Sequence, residues 1–360
     1  MLPKSLTKIN KEMQKKFGSE RIMMAYEGIP PTQCLTTGSP MLDMAIRKEN
    51  GGLPVGRQIE IYGQEAGGKT SISLLAIAEA QRYETSLAEK NPEYQERLCL
   101  FLDAEHTFDP TIAEGYGVDL EKLIYINSKT AEESLDIMDV YIRSGIVRLC
   151  VVDSVPALTP AKVNETSMEQ QTMALLARLM STITMKLNGA LAENDASVIW
   201  INQVRETMKM YGNPETTPGG RALKFYSSLR LKVSRGEDIK DGNTLIGHVV
   251  KINCAKNKTG GEPKKVAQTE IIYGLGYSKE TEVFNLAVEM GIIHKVGAWY
   301  SLIDEETGEL ININGMNCKF QGKDNAIQAM YDEPLFYEEV KRRLDGEEIE
   351  LKEEDIPEDD

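Results

Sequence analysis

Between residues 42 and 274, short apolar runs alternate with stretches in which apolar residues recur every three to four positions. Runs bounded by turn residues read as buried strands and the periodic stretches as helices, which predicts an α/β fold with a mostly parallel sheet wrapped by helices. The expected strands are 59–62, 99–103, 123–126, 149–153 and 198–202. Later runs at 229–233, 249–254 and 269–273 alternate apolar with polar residues, which predicts antiparallel pairing. Ahead of this region Ile9, Met13 and Phe17 share one helical face, with Ser5 as the expected N-cap and Gly18 as the stop. An apolar stripe on a terminal helix needs a partner, either its own core or a neighbouring subunit. Residues 28–39, rich in Pro, Gly and Thr, read as a linker, and 281–346 as a small α+β module; no internal repeat is present.

The 360 residues, 41% of them hydrophobic, suit one large α/β domain with smaller attachments. The N-terminus lacks the apolar core of a signal peptide and no apolar run reaches membrane-spanning length, so a cytoplasmic protein with no membrane partner is expected. Five scattered cysteines without C-x-x-C spacing support neither a disulfide framework nor a zinc site, and Cys99 and Cys150 fall in core strands. The net charge of −15 argues at first against a nucleic-acid partner, but it is uneven. Residues 345–360 hold ten acids and one lysine, a local −9 that leaves −6 for the rest. Such a run reads as a solvated, disordered tail, or as one that competes with an anionic partner for basic surface.

The sharpest chemical signal is Gly63-Gln64-Glu65-Ala66-Gly67-Gly68-Lys69-Thr70, followed by Ser71, which fits G-x-x-x-x-G-K-[ST]. It sits between a strand run and a helical period, where backbone N–H groups can ring a phosphate at a helix N-terminus. Lys69 would neutralise charge and Thr70 bind Mg²⁺, so Mg·nucleoside triphosphate is the expected ligand. Three further strand ends converge on this chemistry. Asp153 closes an apolar strand as a Walker B acid does, placed to hold the metal. Glu105, just past another strand, is placed to orient or deprotonate an attacking water. Gln203 offers an amide to the γ-phosphate and could report nucleotide state to the segment that follows it. That segment, 204–224, is long and weakly periodic, with apolar Met and Tyr among Arg205, Lys209, Arg221 and glycines, a mixture suited to single-stranded nucleic acid. A shorter irregular stretch, 161–172, precedes the helix that carries Met173 and Arg178.

Taken together, the blocks 63–70, 103–106 with Asp109-Pro110, 151–155, Asn202-Gln203, 212–217, 222–226 and 256–258 resemble the bacterial RecA recombinases from about residue 5 to 340. Drift around these blocks and a divergent C-terminal module suggest a phage-encoded or otherwise distant member. The resemblance implies an ATP-dependent protein that forms helical filaments on single-stranded DNA, pairs it with homologous duplex and exchanges strands. It implies roles for Glu105 as catalytic base, Gln203 as γ-phosphate sensor, and Lys256 and Lys258 as cations reaching a neighbouring subunit's ATP. Asp109 would touch the chain's own nucleotide base and Tyr273 the neighbour's. DNA-contact positions become Met173, Arg178, Arg205, Met210, Tyr211, Gly219, Gly220 and Arg221, and the N-terminal helix becomes the subunit-docking arm. Single-strand-binding and mediator proteins are expected partners.

The segments 161–172 and 204–221 would be the two DNA-binding loops. Three departures stand out: Ile112 where the family stacks a tyrosine on adenine, Met185 where it has an arginine facing DNA, and a 204–221 loop one residue shorter. Basic residues in the C-terminal module are sparse, Lys295, Lys319 and Lys323 among them. The division implied is 1–40 for docking and linker, 41–277 for the ATPase and DNA-binding core, 278–344 for the C-terminal module and 345–360 for the acidic tail. The competing readings are a ring-forming RecA-fold DNA motor and an ATP-gated DNA scaffold.

Overall fold

The computed structural model describes residues 4–18, 32–47, 50–161, 169–206, 215–261, 264–304 and 307–346. The chain forms two compact units, Met1–Gln33 and Cys34–Asp360. In the first, a helix spans Lys4–Phe17. Since it already includes Ser5, that residue lies in the first turn and is not the N-cap expected. Gly18, at φ +101°, ends the helix, and its N–H donates to the Gln14 carbonyl. Ile9 and Phe17 are about half exposed.

The second unit is built on a nine-stranded sheet. Its strands are β1 (Gln58–Gly63), β2 (Leu98–Asp103), β3 (Leu123–Ile126), β4 (Val147–Asp153), β5 (Ser197–Gln203), β6 (Leu229–Asp241), β7 (Thr244–Asn257), β8 (Val266–Ile272) and β9 (Gly276–Tyr277), in the spatial order β9-β8-β7-β6-β1-β5-β4-β2-β3. From β6 through β1 to β3 every neighbouring pair is parallel. The pairs β6-β7, β7-β8 and β8-β9 are antiparallel. The antiparallel expectation for the late strands therefore holds except at β6, which is parallel to β1 on its other edge.

Successive strand residues feed opposite cores. Phe101, Leu149, Val151, Ile199 and Ile201 join one buried cluster with the helix Lys69–Lys90. Leu100, Leu102, Cys150, Val152 and Trp200 join a second, with the helices Ala131–Arg143 and Glu169–Glu193. Burial on both faces explains why these strands read as unbroken apolar runs. Arg148 at 4% exposure ion-pairs with the fully buried Glu84, which also accepts from the Tyr94 hydroxyl at 2.6 Å and the Arg97 N–H at 3.0 Å. The extra hydrogen bonds offset desolvation that the ion pair alone would not.

Past β9, the helix Lys279–Glu289, the strands Ile293–Val296, Trp299–Leu302 and Lys319–Gln321, and the helices Lys323–Asp332 and Pro334–Asp345 enclose their own core around Phe284, Phe336 and Val340. Glu282 ties this module to the earlier chain. Its carboxylate accepts from the Ser39 hydroxyl at 2.6 Å, the Met41 N–H at 3.3 Å and the Thr269 hydroxyl. None of the five cysteines is in a disulfide. Among the described residues, no helix is long and apolar enough to cross a membrane.

Candidate functional site

Strand β1 ends at Gly63 and the helix Lys69–Lys90 begins six residues later. Two glycines of this turn, Gly63 and Gly68, are required by geometry. A Cβ at Gly63 would stand 2.0 Å from the Val233 carbonyl oxygen on β6, and Gly68 has φ +92°, in the left-handed region. Lys69 is buried and donates to the Gln64 carbonyl at 2.6 Å. Burial lowers its pKa, an effect opposed by Asp153, Glu105 and Glu65.

Parallel register brings the other strand ends level with this loop. Asp103 on β2 lies opposite Asp153 on β4, and Gln203 on β5 opposite Gly63 on β1. The Thr70 hydroxyl donates to Asp153 Oδ2 at 2.7 Å. Burial pushes the Asp153 pKa up to about 6; the Thr70 hydrogen bond opposes this, while Glu105 and Asp103 add to it. The Ala104 and Glu105 N–H groups donate to the Asp153 carbonyl, at 2.7 and 3.3 Å, and the Ser154 hydroxyl donates to Glu105 Oε1. Asp103 plays a structural part, accepting from the Phe108 N–H and the Tyr125 hydroxyl, each at 3.0 Å.

Other expected site residues have local partners. Asp109 caps the helix Pro110–Gly115, accepting from the Thr111 and Ile112 N–H groups at 2.8 and 3.3 Å. Ile112 on that helix is 46% exposed. Lys256 donates to the carbonyls of Lys224 and Phe225, at 2.5 and 3.1 Å, at the end of the helix Ala222–Tyr226. Burial, with Lys258 and Arg230 nearby, brings its pKa down to about 8. Lys258 is exposed. The Tyr273 hydroxyl meets Arg235 and His248, each at 3.2 Å.

The segment after Gln203 is closed at its base by a two-residue antiparallel pair, Arg205 with Thr216 and Glu206 with Glu215. Met210 and Tyr211 lie outside the described residues. The returning arm packs on the long helix: a Cβ at Gly220 would stand 3.0 Å from Ala177 Cβ, and one at Gly219 3.3 Å from Met180 Cγ. Arg178 is next to Ala177 on that helix, so two of the expected contact regions meet here. Arg178, Arg205 and Arg221 are exposed, as are Met173 and Met185. The helix begins at Glu169, so the irregular stretch expected as far as 172 ends earlier.

Sequence reasoning missed the connectors. Asn202 Nδ2 donates to Glu60 Oε1 at 3.0 Å and to the Pro218 carbonyl at 3.1 Å. This joins the strand that ends at Gln203 to the returning arm. Glu60 also receives Arg230 Nε. The one available signal was an acid inside the otherwise apolar run of β1.

The profile for the RecA N-terminal domain matches residues 4–278, and that for the RecA C-terminal domain matches 281–347. Protein RecA from Staphylococcus aureus strains JH9, Newman and JH1 is in each case 42% identical over 343 residues, covering 95% of this chain and 91% of the relative. The chain therefore belongs to the RecA family, the P-loop, DNA-dependent ATPases that act as ATP-dependent recombinases in DNA recombination and repair.

Proposed function

We propose that this chain assembles into helical filaments on single-stranded DNA with Mg·ATP, pairs the strand with homologous duplex and exchanges strands. The observation that carries the reading is the Thr70 hydroxyl 2.7 Å from Asp153, beside a buried Lys69 whose described hydrogen bond is to a neutral carbonyl. A buried cation bound to a neutral oxygen suits an anionic ligand. A hydroxyl paired with one carboxylate is also a donor set that Mg²⁺ takes while keeping waters and phosphate oxygens. Thr70 and Asp153 would hold the metal, which when bound draws charge from the phosphates.

The backbone of residues 63–71 cradles the phosphates, and Lys69 neutralises their charge. Glu105, steadied by the Ser154 hydroxyl, takes the proton of the attacking water. Gln203 reads the γ-phosphate, and the Asn202 bond to Pro218 carries that reading to the DNA-binding arm. Lys256 and Lys258 serve a neighbouring subunit's ATP. Asp109 meets the chain's own nucleotide base and Tyr273 the neighbour's. Met173, Arg178, Arg205, Met210, Tyr211, Gly219, Gly220 and Arg221 contact DNA. Residues 1–40 dock onto a neighbour, 41–277 form the core, 278–344 the C-terminal module and 345–360 an acidic tail. The protein works in the cytoplasm with single-strand-binding and mediator proteins.

The test is ATP hydrolysis by the purified chain without DNA, with single strands and with duplex. Strong activation by single strands, followed by strand exchange, is expected. High turnover without DNA would favour a ring motor, and none under any condition an ATP-gated scaffold.

A further inference from the structure

His248 on β7 is 3% exposed. Its ring lies tilted against Tyr273, 5.6 Å between centroids, with Nδ1 3.2 Å from the tyrosine hydroxyl. Arg235 Nη2 donates to that hydroxyl at 3.2 Å, and also to Asp238 Oδ1 at 2.7 Å. On the far side of the ring, Nε2 is buried without a hydrogen-bond partner. It faces the underside of the phosphate loop: a Cβ on Gly68 would stand 3.6 Å from it, beside methyl groups of Val250 and Ile271 at 3.3 Å. An orphaned buried nitrogen in a folded protein needs a reason.

The order of donors supplies one. Arginine only donates, so the Tyr273 oxygen accepts from Arg235; the hydroxyl's own proton is best paired with His248 Nδ1, 3.2 Å away. Burial and Arg235 lower the imidazole's pKa, so the ring is neutral and carries one N–H. With Nδ1 accepting, that N–H is on Nε2, and the positive end of its dipole faces the loop.

We infer that His248 is a positioning residue of the phosphate loop, the inner end of a line of donors from Arg235 through Tyr273 that favours anionic ligands at residues 63–70. Tyr273 is 44% exposed, so a contact at the surface that turns its hydroxyl is felt at the loop. The inference rests on the phosphate-loop reading above.

The test is equilibrium binding of a fluorescent ADP with Mg²⁺ to the full chain without DNA. His248→Phe keeps a ring and loses both nitrogens; Tyr273→Phe keeps the ring that would meet a base and loses only the hydroxyl. Each should weaken binding about fivefold, the scale of one buried polar interaction. The double variant should bind no more weakly than either single one, since both break the same line. His248→Gln, which can place an amide nitrogen near Nε2, should restore affinity to within about twofold. Without nucleotide, amide exchange across residues 63–70 should be faster in His248→Phe than in the wild type. Wild-type affinity in His248→Phe, or losses that multiply in the double variant, would overturn the inference while leaving the phosphate-loop reading intact. A wild-type chain that binds no nucleotide would sink both.

Discussion

Burial acts on Asp153 and Lys69 in the same sense, against charge: it raises the carboxyl to about 6 and lowers the ammonium. Each is also the other's compensation. Lys69→Ala would leave Asp153 with only like charges beside it, and turnover should fall by roughly 10²-fold or more, as when a charge-stabilising donor is removed. Near-normal steady-state hydrolysis in that variant would be incompatible with the site. Glu105→Gln keeps the shape and loses the proposed base. Turnover should drop about 10²- to 10⁴-fold while nucleotide binding persists, which single-turnover hydrolysis beside a binding titration separates. The fixed spacing from Gly63 to Thr70 made this loop legible from sequence, because neighbours in the chain build it. Ser154 on Glu105, and His248 beneath Gly68, were not legible. Glu105 lies 49 positions from Ser154, and His248 is on β7, two strands from β1 in the sheet; only strand register sets those distances.

At the level of elements, strands buried on both faces announced themselves, and their ends did not. β4 starts at Val147 because Arg148 is carried inside by Glu84, so a charged residue concealed two strand positions. β6 runs on to Asp241 because, beyond Val233, it leaves β1 and pairs only with β7, where polar side chains are tolerated. The seam at Glu282 was equally hidden, since an acid in a helix's first turn ordinarily faces solvent. Here burial raises it to about 7 from 4.5, against hydrogen bonds from Ser39, Thr269 and Met41, with Asp43 adding to the rise. A carboxyl whose folded pKa is raised holds its proton more tightly in the folded state. Its stabilising contribution is full below the unfolded value and is lost as pH climbs through about 7. Glu282→Gln should therefore flatten the fall in melting temperature between about pH 5 and 8. The effect is at most on the order of 3 kcal/mol, and parallel melting curves for variant and wild type would refute it.

At the scale of the whole molecule, charge is segregated. Residues 345–360 carry −9 of the net −15, while Arg178 on the long helix and Arg221 on the returning arm are exposed. Deleting the tail should strengthen duplex binding, most at low salt, because competition between two anions for one basic surface is screened within about 10 Å at 0.1 M salt. Unchanged affinity across a salt series would reduce the tail to a solvating appendage. Deleting residues 1–33 should leave a folded ATPase core that sediments as a monomer on single-stranded DNA, if the helix with exposed Ile9 and Phe17 is the docking arm. Persistent long filaments would show that another surface joins the subunits.

Lys256 has a consequence for how such an assembly ends as well as how it begins. Its ammonium already rests on two carbonyls at the close of the Ala222–Tyr226 helix, where a cation is welcome. A lone protomer therefore has a resting place for the group that, in the proposed filament, would serve a neighbour's triphosphate. If Lys256 takes the trans role proposed above, joining a filament would exchange one oxygen partner for another, and loss of the γ-phosphate would hand the lysine back to its own helix. Disassembly would then strand no unpaired charge on Lys256.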